Sequence, residues 1–170
     1  TMEVLGAMRT AFKKDGTVTA GNASGINDGA AMVVLATGSE VAKRGLKPLA
    51  RIVAWGHAGV EPEYMGEGPI KATPIALERA GLTLDEIDVI ESNEAFAAQA
   101  AACAKVLGFD PAKTNVNGSG VSIGHPVGAT GCMLTIKAAY ELKRSGGRYG
   151  LVTMCIGGGQ GIALVIENAE

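Results

Sequence analysis

The sequence has 170 residues, a formal net charge of -2, and 47% hydrophobic against 19% charged residues. That balance describes one globular domain and excludes a disordered chain. No basic block stands out, so nothing supports nucleic-acid or membrane-surface binding, and no apolar run is long enough to cross a bilayer.

Aromatic residues make up only 4%, which leaves the core to Val, Ile, Leu and Ala. The three cysteines, Cys103, Cys132 and Cys155, are odd in number and lack CxxC spacing. They argue against a disulfide framework or a zinc site and fit a reduced, cytoplasmic protein. No signal peptide is evident. The opening residues, Thr1 to Leu5, read like the middle of a longer chain, so a fragment or split subunit is expected. Of the 25 glycines, 12 cluster within 21–29, 118–131 and 157–161, which marks sharp turns or close backbone approach at those places.

Residues 13–16 read as a turn and 17–19 as a short extended piece. The β-branched apolar run 30–36 predicts a buried strand. Ser39 is a plausible N-cap for a helix over 40–44, which Gly45 ends. A second strand is expected over 49–55, a loop over 57–68, and a helix over 69–80 with Gly81 just past its end. Residues 83–86 carry a capping signal. A brief strand over 88–91 precedes an Ala-rich helix over 93–107 that Gly108 stops. A short strand at 115–117, a glycine-rich loop at 118–124 and a long helix over 126–144 follow. Strands over 150–154 and 161–166 flank the final Gly-Gly-Gly turn. Alternating strands and helices predict an α/β fold, a βαβαβαββ mixed sheet with helices on both faces.

Four strings fall at strand ends, where open α/β sheets bind ligands. They are Ala20 to Gly25, Asn93-Glu94-Ala95-Phe96, Gly124-His125-Pro126 and Cys155 to Gly159. His125, between Gly and Pro, is either a helix-entry cap or a catalytic base or oxyanion donor. Cys155 is either a small buried hydrophobe or a thiol set beside free backbone N–H groups. Asn93 is a helix cap or an amide that positions a water, and Ser24 is a turn residue or a ligand contact. Cys103 and Cys132 read as packing. His57 reads as a loop residue without chemistry, and Glu61 and Glu63 as a solvated face.

Taken together and in order, these strings resemble the thiolase family. The stretches 117–131 (NGSGVSIGHPVGATG) and 154–161 (MCIGGGQG) are similar to 3-ketoacyl-CoA thiolases and acetyl-CoA acetyltransferases. The resemblance implies a five-layered core of two similar halves, of which this chain supplies the C-terminal one. It implies that residues 1–27 are a remnant of a loop domain and linker, and that 28–170 form the C-terminal domain. The nucleophilic cysteine of the family lies in the other half, and no residue here matches it.

The resemblance also implies roles. His125 would polarise that missing nucleophile and donate to the thioester oxygen. Asn93 would hold a water completing the first oxyanion hole. Cys155 would be the acid/base at the acetyl-CoA α-carbon, and the backbone N–H of Gly157 would serve a second oxyanion hole. Ser24, Met65 and Phe96 would line the pantetheine and acyl pocket. The implied partners are acyl-CoA or CoA as substrate, the N-terminal thiolase half and, in the complete protein, further copies of itself. No cofactor is expected. The implied setting is fatty acid metabolism, by reversible Claisen condensation or thiolysis. Two other readings stand beside this one: a non-catalytic thiolase-like scaffold, and a decarboxylating ketoacyl synthase, against which the Cys155 string argues.

Overall fold

The computed structural model describes residues 1–169. Four strands carry side chains that alternate between the two faces of one sheet, as a strand period of two requires. They are β1 (Ala50–Gly59), β2 (Val89–Ser92), β3 (Tyr149–Ile156) and β4 (Gln160–Asn168). Their order in the sheet is β1-β4-β3-β2, with β1/β4 and β3/β4 antiparallel and β2/β3 parallel. The helices are α1 (Met2–Gly6), α2 (Gly38–Arg44), α3 (Gly68–Ala80), α4 (Ala97–Leu107), α5 (Gly120–Ile123) and α6 (Thr130–Ser145).

Each face of the sheet has its own core. Ile90, Leu151, Ala163 and Val165 pack with Ala72 and Ala76 of α3. Their neighbours in sequence, Val89, Val152 and Ile166, turn the other way and pack with Leu134, Ala138 and Leu142 of α6. Double burial explains why β3 and β4 read as nearly continuous apolar runs. Each of Leu151, Val165 and Ile166 is almost fully buried, stabilising the fold by about 1.5–3 kcal/mol per side chain. The parallel β2/β3 pair needs a long crossover, and α4, α5 and α6 provide it.

The mixed sheet with helices on both faces is therefore present, but its expected first strand is not. Residues 30–36 form no strand, and Met32, Val34 and Leu35 are exposed. A β-branched run becomes a strand only when a neighbour pairs with it, and no described residue lies in a ladder beside this one. Helix α2 starts earlier than expected because Thr37, not Ser39, caps it: its side chain accepts from Glu40 N. β1 runs on to Gly59, since β4 is long enough to pair with it, so His57 is a strand residue opposite Ile162 rather than part of a loop.

Two helix starts also move. Helix α4 begins at Ala97, because the backbone of 93–97 bonds elsewhere: Asn93 N donates to Thr153 O, and Ala97 N donates to Asn22 O. Helix α6 begins at Thr130, after a turn in which the Pro126 carbonyl accepts from Ala129 N and Thr130 N. The expected strand at 115–117 reduces to one parallel bridge, Ile90 with Thr114. The loop at 118–124 contains the short helix α5.

Candidate active site

Because β2 and β3 run parallel, their C-terminal ends open on the same edge of the sheet. Asn93 follows β2 there, and Cys155 lies near the end of β3. The turn from β3 to β4 passes through Gly158 and Gly159, with φ +84° and +89°, a left-handed backbone that disfavours side chains. His125 reaches this edge at the end of the glycine-rich segment. Its backbone N donates to Asn27 Oδ1 at 2.9 Å. The segment 22–27 is stitched along the edge: Ser24 N donates to Ala95 O, Ala23 bridges Phe96, and Ile26 bridges His125.

These elements enclose a cavity of about 450 Å³, lined by Ser24, Met65, Phe96, His125, Cys155 and Gly157, among mainly apolar neighbours. Six of the seven residues singled out in the sequence thus face one space. Phe12, also in its wall, meets Phe96 edge-on at 5.9 Å between ring centroids. The seventh residue, Asn93, sits behind the wall and is fully buried. Its Nδ2 lies 3.3 Å from His125 Nε2. Its Oδ1 has no hydrogen-bond partner among the described residues. Asn93 is not a helix cap, since α4 starts four residues later.

The contacts around His125 favour one tautomer. Thr130 Oγ1 lies 2.9 Å from Pro126 O and 2.7 Å from His125 Nδ1. The hydroxyl has one proton for these two neighbours, and in the contact with Pro126 O only the hydroxyl can donate. With that proton on Pro126 O, the imidazole donates from Nδ1 and Nε2 is unprotonated; its one lone pair faces the Asn93 amide and takes a proton when that long contact opens. Burial pushes the His125 pKa below its ordinary value of 6.5, which favours that neutral base. Burial raises the Cys155 pKa, with the nearby Cys103 adding to the effect, so this group is a protonated thiol at neutral pH. Cys103 is buried in α4, with its Sγ donating to Gly66 O, and it takes a packing role.

Sequence reasoning missed Thr130, Asn27 and Asn115. The first orients the imidazole, and the second holds its backbone. Asn115, at φ +50°, bonds with its side chain to both N and O of Ser92 and so pins the end of β2. A hydroxyl residue in the first turn of the helix after His125 was the available signal for Thr130. Asn27 and Asn115 carried none, because their partners are distant in sequence.

The family model described as "Thiolase, C-terminal domain" matches residues 46–168. The chain belongs to the thiolase family. The model for the thiolase N-terminal domain matches residues 1–39. The chain is 63% identical to beta-ketothiolase BktB of Cupriavidus necator over 169 residues, which is 99% of this chain and 43% of that protein. It is 55% identical to an acetyl-CoA acetyltransferase of Escherichia coli, with the same coverage of each chain. Among solved structures, the Bacillus anthracis acetyl-CoA acetyltransferase superposes with a TM-score of 0.96 at 50% identity, covering 99% of this chain and 43% of that one. Human mitochondrial 3-ketoacyl-CoA thiolase in complex with CoA superposes at 0.92 with 44% identity, covering 100% and 43%. This thiolase chain therefore spans less than half the length of the relatives it matches.

Proposed function

We propose that this chain supplies one half of the active site of a thiolase that cleaves 3-ketoacyl-CoA or, in reverse, condenses acetyl-CoA with a second acyl group. The observation that carries the reading is the convergence of His125, Cys155 and Gly157 on one apolar cavity, with the Asn93 amide 3.3 Å from the imidazole Nε2. The likeness to a thiolase structure in complex with CoA supports assigning a CoA thioester to this cavity. CoA is then a substrate, and the reading calls for no cofactor. The nucleophile comes from a cysteine of a thiolase N-terminal domain.

In this reading His125 Nε2 takes the proton of that cysteine, which attacks the 3-keto carbon. The C2–C3 bond breaks, leaving an acyl-enzyme and the enolate of acetyl-CoA. The Cys155 thiol, kept protonated by burial, delivers its proton to the enolate carbon. The Cys155 thiolate then takes the proton of a second CoA thiol, whose sulfur captures the acyl group, and the released cysteine recovers its proton from the His125 imidazolium, which gives a ping-pong course. Negative charge develops on two oxygens in turn. Asn93 with His125 serves one, through a water held at the unpaired Asn93 Oδ1, and the Gly157 N–H serves the other. Ser24, Met65 and Phe96 contact the pantetheine and acyl chain. Alone, the chain has no nucleophile to acylate and is inactive.

The test is loss of the magnesium–acetoacetyl-CoA absorbance in the presence of CoA, for this chain alone and mixed with a thiolase N-terminal domain. Activity is expected only in the mixture, and His125→Ala or Cys155→Ala should abolish it. Activity from the chain alone would refute the division of labour, and an inert mixture of folded partners would refute the catalytic reading.

A further inference from the structure

An ion pair between a buried carboxylate and a half-buried lysine lies beside the site without taking part in the chemistry above. Glu91 is fully buried on β2, two residues before Asn93. Its Oε2 accepts from Lys137 Nζ of α6 at 2.8 Å. The same ammonium donates to the backbone carbonyl of Gly118, where the glycine-rich segment leading to His125 begins. Burial pushes the Glu91 carboxyl up, and the Lys137 bond pulls it back.

Lys137 is one of three contacts made along one stripe of α6. Thr130, Lys137 and Glu141 are spaced seven and four residues apart, so they share a face of the helix. Thr130 holds the His125 ring, Lys137 holds the Gly118 carbonyl, and Glu141 accepts from Asn117 Nδ2 at 2.9 Å. Both ends of the segment 117–125 are thus fastened to a single rigid rod, at points about 10 Å apart along it. The ion pair is a poor choice for stability alone, since apolar residues of similar volume commonly serve a core at least as well. What an apolar residue cannot replace is the bond to Gly118.

We propose that Lys137, with its charge balanced by Glu91, is a positioning residue for His125, acting through the Gly118 carbonyl to fix the segment that carries the imidazole. Its consequence for catalysis rests on the thiolase reading above; its consequence for the imidazole does not.

The test compares Lys137→Met, the double variant Glu91→Gln/Lys137→Met, and Lys137→Arg, which keeps a donor for Gly118. The 170-residue chain has two histidines, so imidazole NMR signals report His125 directly, with His125→Ala for assignment and His57 as the internal control. Lys137→Met and the double variant should both displace the His125 signals and leave those of His57 in place. The double variant should regain thermal stability without regaining the His125 signals, and Lys137→Arg should retain them. In the mixture with a thiolase N-terminal domain, the double variant should lose kcat on the order of tenfold to a hundredfold, with KM nearly unchanged. Recovery of the His125 signals in the double variant would overturn the proposal. So would equal displacement in Lys137→Arg and Lys137→Met. An inactive wild-type mixture would refute the thiolase reading, while the NMR comparison would still decide the role of Lys137.

Discussion

Residues 1–49 and residues 50–168 obey different rules. The second stretch buries both faces of its sheet and has two apolar clusters. In the first, Thr19 is the only buried residue, and Ile26, Met32, Val34 and Leu35 are all widely exposed. The run 30–36 is as apolar and β-branched as the strands of the second stretch, yet it pairs with nothing described. Strand propensity is therefore a demand for neighbours rather than a property of the segment. The same division appears in the family matches, which assign 1–39 to the thiolase N-terminal domain and 46–168 to the C-terminal one.

The largest effect that tests this contrast is in the core. Leu151 is fully buried at the centre of the sheet, whereas Val34 is 91% exposed. Leu151→Ala should destabilise the chain by about 2–5 kcal/mol, combining lost burial with a residual cavity. Val34→Ala should change it by less than about 0.5 kcal/mol. Urea unfolding followed through Trp55, the single tryptophan, measures both. Equal losses would mean that residues 30–36 are packed, and the contrast would fail.

A smaller effect is expected beside the site, within the second stretch. A Cβ on Gly120 would lie 2.5 Å from the Glu94 carbonyl oxygen and 3.1 Å from Asn93 Oδ1. Gly120→Ala must push α5 away from the end of β2, at a cost of about 1–3 kcal/mol. The displacement should show in the His125 NMR signals as well as in the melting temperature. A variant with wild-type signals and stability would show that the segment 118–125 is looser than its contacts imply.

The elements were legible where local chemistry decides them. Gly45, Gly81 and Gly108 each adopt left-handed φ just past a helix, and Thr83 with Glu86 forms the expected capping contacts. Legibility failed where a distant partner decides. Ala97 N turns to Asn22 O, which shortens α4, and the length of β4 makes His57 a strand residue. The site follows the same division. His125, Cys155 and Asn93 announced themselves through Gly, Pro and strand-end context. Lys137 looked like any lysine on a helix surface, because its partners Glu91 and Gly118 are 46 and 19 residues away.

The smallest expected effect concerns pH and tests the electrostatic side of the contrast. Burial lowers the folded-state pKa of His125 below 6.5, while the unfolded chain keeps the ordinary value. The unfolded state then binds more protons over the interval between the two values. The stability this histidine contributes is present above pH 6.5 and is lost as pH falls through the folded pKa. Urea midpoints measured from pH 8 downward should therefore decline through that interval in the wild type, and less so in His125→Ala. Direct NMR titration should place the His125 midpoint below 6.5. A midpoint at or above 6.5 would mean that the cavity wall solvates the imidazolium. His125 would then be partly charged near neutrality, with less of the neutral base present to take a thiol proton.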